Sequence, residues 1–483
     1  MRDRPTAVRV RGHDEQSSVD LLGRLGHDLG ESRVSRSNSV KAEVADALSA
    51  HRKPDKPTPS ESSYDDRPIA QEARPSLRRN VLWSFVGTMS NALCNWLSLF
   101  VVARLGTPQD VGTFALAGAV CTPIFIFFNL QLRGLQATDA TGKFRFSTFW
   151  SIRLLTTLGA FALLAAYSML FEDEPVLRAV IVVTALAKSF QAMSDIIHGF
   201  LQNSEEIEWI ARSMAMRGVV SLALLSALFA LTRNIVIATV AMAAAALVVL
   251  LLVDFRRVRR WGVLSFREAV QVKVPRAELR SILASALPLG AALMVSSITI
   301  HLPTYLLEAF ASRADVGYFA AASQLVAAGS LAIGAVAQAA SPRLAKYAAG
   351  RCTRQFRMLL LKMILFAFAL GLSGTLIAVF GGEALLAALF ASGYEEAWGA
   401  LVILSIAAAF NFASSISGYA MTALGLHAVQ FPMAILVLVL ALFSGRMLVP
   451  EAGLLGAAIS VLIVGIGSFS VSVAVVVRRV RVL

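Results

Sequence analysis

Six polar side chains in one hydrophobic stretch carry the chemistry that stands out first: Thr184, Lys188, Gln191, Asp195, His198 and Gln202. They recur at steps of three and four residues, so on a helix all six share one face. Residues 175–201, which hold nearly all of them, are otherwise apolar and long enough to cross a bilayer. A Lys or Asp in such a span costs about 2.5–3.5 kcal/mol on insertion scales, so it faces a bundle interior or a wet cavity. Two readings stand side by side. Lys188 and Asp195 either neutralise each other as a pair two turns apart, or they belong to a solvated path.

Milder stripes repeat elsewhere. The first span has Ser84, Thr88, Asn91, Asn95 and Ser98, and the second has Thr122, Asn129 and Arg133. The seventh has Ser297, His301, Thr304 and Glu308, and the tenth Asn411, Ser415, Gly418 and Thr422. Any one of these alone is ordinary interhelical hydrogen bonding. Together they mark spans 1, 2, 4, 7, 8 and 10 as facing something polar. Spans 6 and 11, apolar all round, are expected at the periphery. His301 is a candidate proton site because imidazole titrates near neutrality; a satisfied histidine beside the helix-bending Pro303 is the other reading. Arg133, Arg153, Arg217, Arg343 and Lys362 sit at or just inside span ends, where snorkelling anchors are usual. Arg133 continues a polar stripe, and Arg217 lies several residues into the fifth span. A planar, permanently charged guanidinium suits a phosphate. The candidate cavity set is Lys188, Arg217, Arg133, Asn91, Asn95, Gln191, Asn129 and Asn411.

The elements that position these residues follow from composition. The chain has 483 residues, 57% hydrophobic and 16% charged, with a mean hydropathy of +0.67. That balance excludes a soluble globular domain and predicts an all-α polytopic membrane protein. Twelve spans are expected, at 81–103, 112–132, 149–171, 175–201, 212–231, 234–254, 282–308, 315–341, 358–380, 397–424, 430–447 and 453–477. Residues 255–281 separate six spans from six and carry eight Lys/Arg. By the positive-inside rule this connector is cytoplasmic, and so are both termini. Loops on the other side hold the acids, among them Glu172, Asp173, Glu174, Glu395 and Glu396. The net charge of +13 therefore reads as a topology signal rather than as a nucleic-acid footprint. Four regions result: a disordered tail at 1–78, one lobe at 79–254, the connector at 255–281 and a second lobe at 282–483. The tail lacks a signal peptide's apolar core, which keeps it cytoplasmic; a later start codon that leaves it out is the other reading.

No Gly-rich loop ending in Gly-Lys-Ser/Thr, no HExxH and no GxSxG is present. Three cysteines, Cys94, Cys121 and Cys352, match no metal spacing. No cofactor, no metal and no catalytic residue is expected. The two halves do resemble one another. DVGTFA at 110–115 opens the second span and DVGYFA at 315–320 opens the eighth, 205 residues later. His198-Gly199-Phe200 has a looser echo in Ser417-Gly418-Tyr419. Since each half holds an even number of spans, this is a parallel repeat about an axis along the membrane normal.

The order of several segments carries a family resemblance. They are Asn80-Val81-Leu82-Trp83, Ala103-Arg104-Leu105-Gly106 before DVGTFALA, LQLRGLQATDA at 130–140, ALPLG at 286–290, DVGYFAAASQL at 315–325, SPRLAKY at 341–347 and LFASGYEEAW at 389–398. In these the chain resembles polysaccharide flippases of the Wzx/PST type, in the multidrug/oligosaccharidyl-lipid/polysaccharide (MOP) exporter superfamily. The resemblance implies two six-helix lobes around a central cationic cavity that opens alternately to each side of the bacterial inner membrane. The implied cargo is an undecaprenyl-diphosphate-linked oligosaccharide moved to the outer leaflet, with a polysaccharide polymerase or chain-length machinery as a protein partner. Ion coupling would then fall to Asp195, His198, His301 or Glu308. A multidrug or organic-cation exporter of the same superfamily is the nearest alternative, but it should place acids in its cavity. A membrane-embedded polysaccharide polymerase or ligase should carry a long outer loop, and none is present.

Overall fold

The computed structural model describes residues 77–139, 144–260, 274–390 and 393–482, and every regular element among them is a helix. The expected tail and the middle of the basic connector lie outside the described residues. The first half comprises α1 (Leu77–Leu105), α2 (Pro108–Phe128), the short α3 (Leu132–Ala137), α4 (Phe146–Phe171), α5 (Pro175–Asn203) and α6 (Ile207–Thr232). It closes with α7 (Ile235–Val249), which runs through a π-helical turn, Leu250–Phe255, to Arg260. The second half comprises α8 (Arg276–Phe310), α9 (Arg313–Ala349), α10 (Thr353–Leu389), α11 (Trp398–Ala423) and α12 (His427–Val482). Eleven helices among the described residues are long and apolar enough to span a membrane. The last of them is folded in two at Gly453, whose φ of 50° and ψ of −123° break the helix. Two spans therefore share one helical run, and twelve spans stand in two lobes.

Helix pairings repeat between the halves, as the sequence repeat requires. In the first, α1 packs on α6, α4 on α5, α2 on α5, and α5 on α7. Their counterparts are α8 on α12, α10 on α11, α9 on α11, and α11 on α12. The repeat is sharpest where the DVG motifs start α2 and α9. Thr107 Oγ1 accepts from the Asp110 N–H, and Asp110 accepts in turn from the Thr107 N–H at 2.8 Å. Ser312 and Asp315 close the same capping box 205 residues later.

The halves meet at these two helix starts. The α-carbon of Gly112 lies against the Arg313 carbonyl, and that of Gly317 against the Pro108 carbonyl. A Cβ at either glycine would approach the facing oxygen well under 3.0 Å, so only glycine fits. This end carries the acidic loops and is called the acidic end below; the opposite end is the basic end. Arg313 reinforces the junction. It donates to Glu308 at 2.7 Å and pairs with Glu174 of the other half at 2.9 Å. Arg104 of α1 reaches the Ala388 carbonyl of α10 at 2.9 Å.

The hydrophobic core follows the same asymmetry. At the acidic end one buried cluster joins both halves, with Val111, Leu116 and Phe229 beside Val316, Phe319 and Leu386. Toward the basic end the core divides. Phe149, Ile197 and Ile210 belong to a cluster of the first half, which α8 joins through Ile282 and Ala286. Phe356, Ile416 and Val476 belong to a separate cluster of the second half alone. The molecule is thus sealed at its acidic end and parted at its basic end.

Span 6 departs from its expected place. It is among the most enclosed helices: Ala238, Ala241, Ala243, Ala245 and Ala246 are buried against α5 and α6. Uniform hydropathy gave no face to read, but alanines permit close helix approach, as small residues do in membrane bundles. Span 11 keeps an exposed flank at Leu436, Val439 and Phe443. Its other flank faces a cavity.

Candidate functional site

Between the parted halves lies a cavity of about 1060 Å³, walled by α1, α2, α8, α9, α11 and both arms of α12. Its polar lining includes Asn95, Thr122, His301, Gln324, Asn411 and Gln430. Phe114, Phe319, Leu404 and Val461 supply apolar surface. Among the described residues, no Lys, Arg, Asp or Glu lines it. The cationic lining expected from the resemblance is therefore not found on this wall. The positive charge is gathered instead in the first half, toward the basic end.

That second constellation is built around a break in span 2. Helix α2 stops at Phe128, and Leu130 and Gln131 take left-handed backbone conformations with φ of 48° and 49°. Two consecutive non-glycine residues there cost of order 1–2 kcal/mol each. The break turns the chain so that α3 can lie against α5. Gly199 makes that approach possible, because a Cβ there would collide with Gln136 Oε1 and crowd the Arg133 backbone. The side chain of Asn129 at the break accepts a hydrogen bond from Arg153. Arg153 is only 1% exposed and is the largest fully buried side chain among the described residues. The expectation that it snorkels as an anchor is corrected: its guanidinium points into the bundle, where Asn129 holds it.

Arg133 crosses from α3 to α5, pairing with Asp195 Oδ1 at 3.0 Å and donating to Gln202 at 3.3 Å. Asp195 is thereby taken by an arginine, and the proposed Lys188–Asp195 pair is not formed. His198, fully buried, lies with Nε2 3.1 Å from Ser213 Oγ of α6 and 3.5 Å from Asp254 Oδ1 of α7. Its Nδ1 is 4.0 Å from Asp195 Oδ1. Arg217 of α6 is half-buried, and both Asp195 and Asp254 act on it electrostatically. Several buried polar atoms here have no partner among the described residues: Arg153 Nε, Arg217 Nη1, Gln136 Oε1, His198 Nδ1, Ser194 Oγ and Asp254 Oδ2. Buried polar groups are ordinarily satisfied, so such a concentration marks a place for water or ligand.

The predicted residues thus fall into groups. Asn129, Arg133, Asp195, His198 and Arg217 come together in the first-half cluster. Asn95, His301 and Asn411 line the cavity. Lys188 stands near the cavity wall, close enough to His301 and Cys121 to act on both electrostatically, with no acidic partner among the described residues. Gln191 and Asn91 are half-buried and make no side-chain hydrogen bond among those described. Glu308 is outside both groups, held by Arg313 at the acidic end. The sequence reading missed Asp254, because it closes an apolar run and looked like the first polar residue after a span. Its signal was the helical continuation through Arg256–Arg260, which keeps residue 254 inside the bundle. Ser213, one more serine in a polar stretch, carried no signal.

The fold is that of the MOP superfamily of membrane transporters. An inward-facing multidrug MATE transporter superposes with a TM-score of 0.67 at 15% identity, covering 83% of this chain and 98% of that one. The lipid II flippase MurJ, in an inward closed conformation, gives 0.63 at 14% identity over 83% and 89%. Sequence identifies the group within that fold: residues 77–348 match the polysaccharide biosynthesis protein family, and the chain belongs to it. The capsular polysaccharide biosynthesis protein CapF of Staphylococcus aureus is 26% identical over 388 residues, 80% of this chain and 95% of its own length.

Proposed function

We propose that the protein is a flippase for an undecaprenyl-diphosphate-linked oligosaccharide. It carries the headgroup from the cytoplasmic to the outer leaflet of the bacterial inner membrane by alternating access. The basic end is then cytoplasmic, in line with the positive-inside rule, and the parted state is the one that loads cargo. The observation that carries the reading is the division of labour between two neighbouring features. An uncharged cavity lined by amides and hydroxyls suits a sugar, which is bound through hydrogen bonds. Two arginines with unmet donors, Arg153 and Arg217, together with Arg133 and a Lys188 that has no acidic partner among the described residues, suit a diphosphate. The prenyl chain needs no pocket, because it stays in the bilayer. Coupling to an ion gradient falls to Asp195, His198, His301 or Glu308, and a polymerase or chain-length protein would receive the product.

An organic-cation exporter fits less well, since no carboxylate lines the cavity among the described residues. Lys188→Ala and Arg217→Ala test the choice. Each should abolish surface polysaccharide, measured on intact cells, while immunoblots show unchanged protein. Normal export by both variants would remove the anionic-cargo reading.

A further inference from the structure

The first-half cluster contains two carboxylates and an imidazole in a row, from half-exposed to fully buried. Asp195 is 37% exposed at its side chain, whereas His198 and Asp254 are 0% and 1%. Asp195 Oδ1 lies 4.0 Å from one ring nitrogen of His198, and Asp254 Oδ1 lies 3.5 Å from the other. Asp195 and His198 are one turn apart on α5, so their side chains share a face of that helix. Three buried atoms of the same cluster, His198 Nδ1, Ser194 Oγ and Asp254 Oδ2, have no hydrogen-bond partner among the described residues. A carboxylate open to water, an imidazole with one unpartnered ring nitrogen and a buried carboxylate are the parts of a proton relay.

We propose that Asp195, His198 and Asp254 form a proton relay in the first lobe, and that its charge decides whether Arg133 is free to hold an anionic phosphate headgroup. A proton from water at the basic end first neutralises Asp195. It then passes to His198 Nδ1 as the Nε2 proton passes to Asp254 Oδ1. Asp195 is left ionised, the imidazole neutral in its other tautomer, and Asp254 protonated. Imidazole nitrogen suits a proton better than sodium, a hard cation that takes oxygen ligands.

The groups facing the relay set the sign of the linkage. They are Arg133 from α3, Arg153 from α4 and Arg217 from α6, with Ser213 and Ser194 beside Asp254. With both carboxylates ionised, three arginines leave a surplus of one positive charge. Protonating either carboxylate raises that surplus, and while the proton is on Asp195 its hold on Arg133 is weakened. A phosphate drawing Arg133 away leaves Asp195 without its cation and favours its protonation. Anion binding and proton binding therefore promote each other. The proton offsets part of the headgroup charge while that headgroup is out of water.

The second half of this proposal rests on the anionic cargo proposed above, and the first does not, so two measurements separate them. Nitrogen-15 spectra of the full chain in lipid nanodiscs, with His198→Gln used for assignment, read the relay alone. His198 should change protonation or tautomer as the pH is varied, and Asp254→Asn should alter that response. A His198 signal that is invariant, or indifferent to Asp254→Asn, overturns the relay. Calorimetry with undecaprenyl diphosphate in buffers of different ionisation enthalpy reads the linkage. Wild type should take up about one proton per lipid, and Asp195→Asn should lose that uptake. Binding with no uptake, or with release, overturns the link to Arg133. Failure of the lipid to bind removes the cargo reading, and the histidine spectra still decide the relay.

Discussion

Gly112→Val and Gly317→Val should each stop polysaccharide export while the protein remains in the membrane. At both positions a side chain would have to occupy the space taken by the first-turn carbonyl of the facing helix. The two capping boxes fix those carbonyls, because Thr107–Asp110 and Ser312–Asp315 lock the first turns of α2 and α9. The strain cannot relax locally, and the halves must separate at the acidic end. Overpacking of this kind costs about 1–3 kcal/mol. Every 1.4 kcal/mol shifts a two-state equilibrium about tenfold, so the closed acidic end loses most of its advantage. A cysteine introduced at Ser323 on the cavity wall reports the change. A membrane-impermeant thiol reagent added from the acidic side should label it faster in either valine background. Gly381→Val, at a glycine with open space around it, should leave labelling as in wild type. Equal labelling in all four proteins would mean that the paired glycines do not hold this end shut.

A second large effect is expected at Asn129. Among the described residues its side chain is the one hydrogen-bond acceptor given to Arg153, whose Nε has no partner there. Asn129→Leu keeps the size of the side chain and removes the acceptor. A buried guanidinium then loses its compensation, at a cost of about 1–3 kcal/mol or more. The left-handed turn at 130–131 depends on the same anchor, so Arg133 should also lose its register against Asp195. The thermal midpoint of the purified protein should fall, and export should fall with it. Asn129→Asp should do the reverse for stability, since it gives the guanidinium a charged partner. An unchanged midpoint for Asn129→Leu would mean that Arg153 is satisfied by water.

Much of the architecture was readable before any coordinates, because a bilayer limits what a chain can do. Apolar length gives the spans, Lys/Arg asymmetry separates basic from acidic loops, and DVGTFA against DVGYFA exposes the repeat. The structure adds why that repeat is so exact in its spacing: the two copies touch, each glycine fitting the first turn of the other. The stripe on span 4 likewise led to Asp195 and His198. What it could not give was their partners. Periodicity assigns a residue to a face but not to what the face meets, so Lys188 looked like the natural partner for Asp195 until Arg133 arrived from beyond a helix break. That break was hidden, since Asn129-Leu130-Gln131-Leu132 contains no glycine or proline to announce it. Arg153 was misread because anchors and buried arginines look alike at a span end. Span 6 was misplaced because a helix apolar on every side can face lipid or protein equally well.

The most direct measurement of the central claim is transbilayer movement of cargo itself. The purified protein is reconstituted into liposomes containing a fluorescent undecaprenyl-diphosphate-linked oligosaccharide, and the fraction accessible to an impermeant quencher is followed over time. The account predicts that wild type moves the lipid between leaflets far faster than empty liposomes do, and that Arg217→Ala removes most of the difference. It would be contradicted by wild type no faster than empty liposomes in vesicles that do accumulate an organic cation.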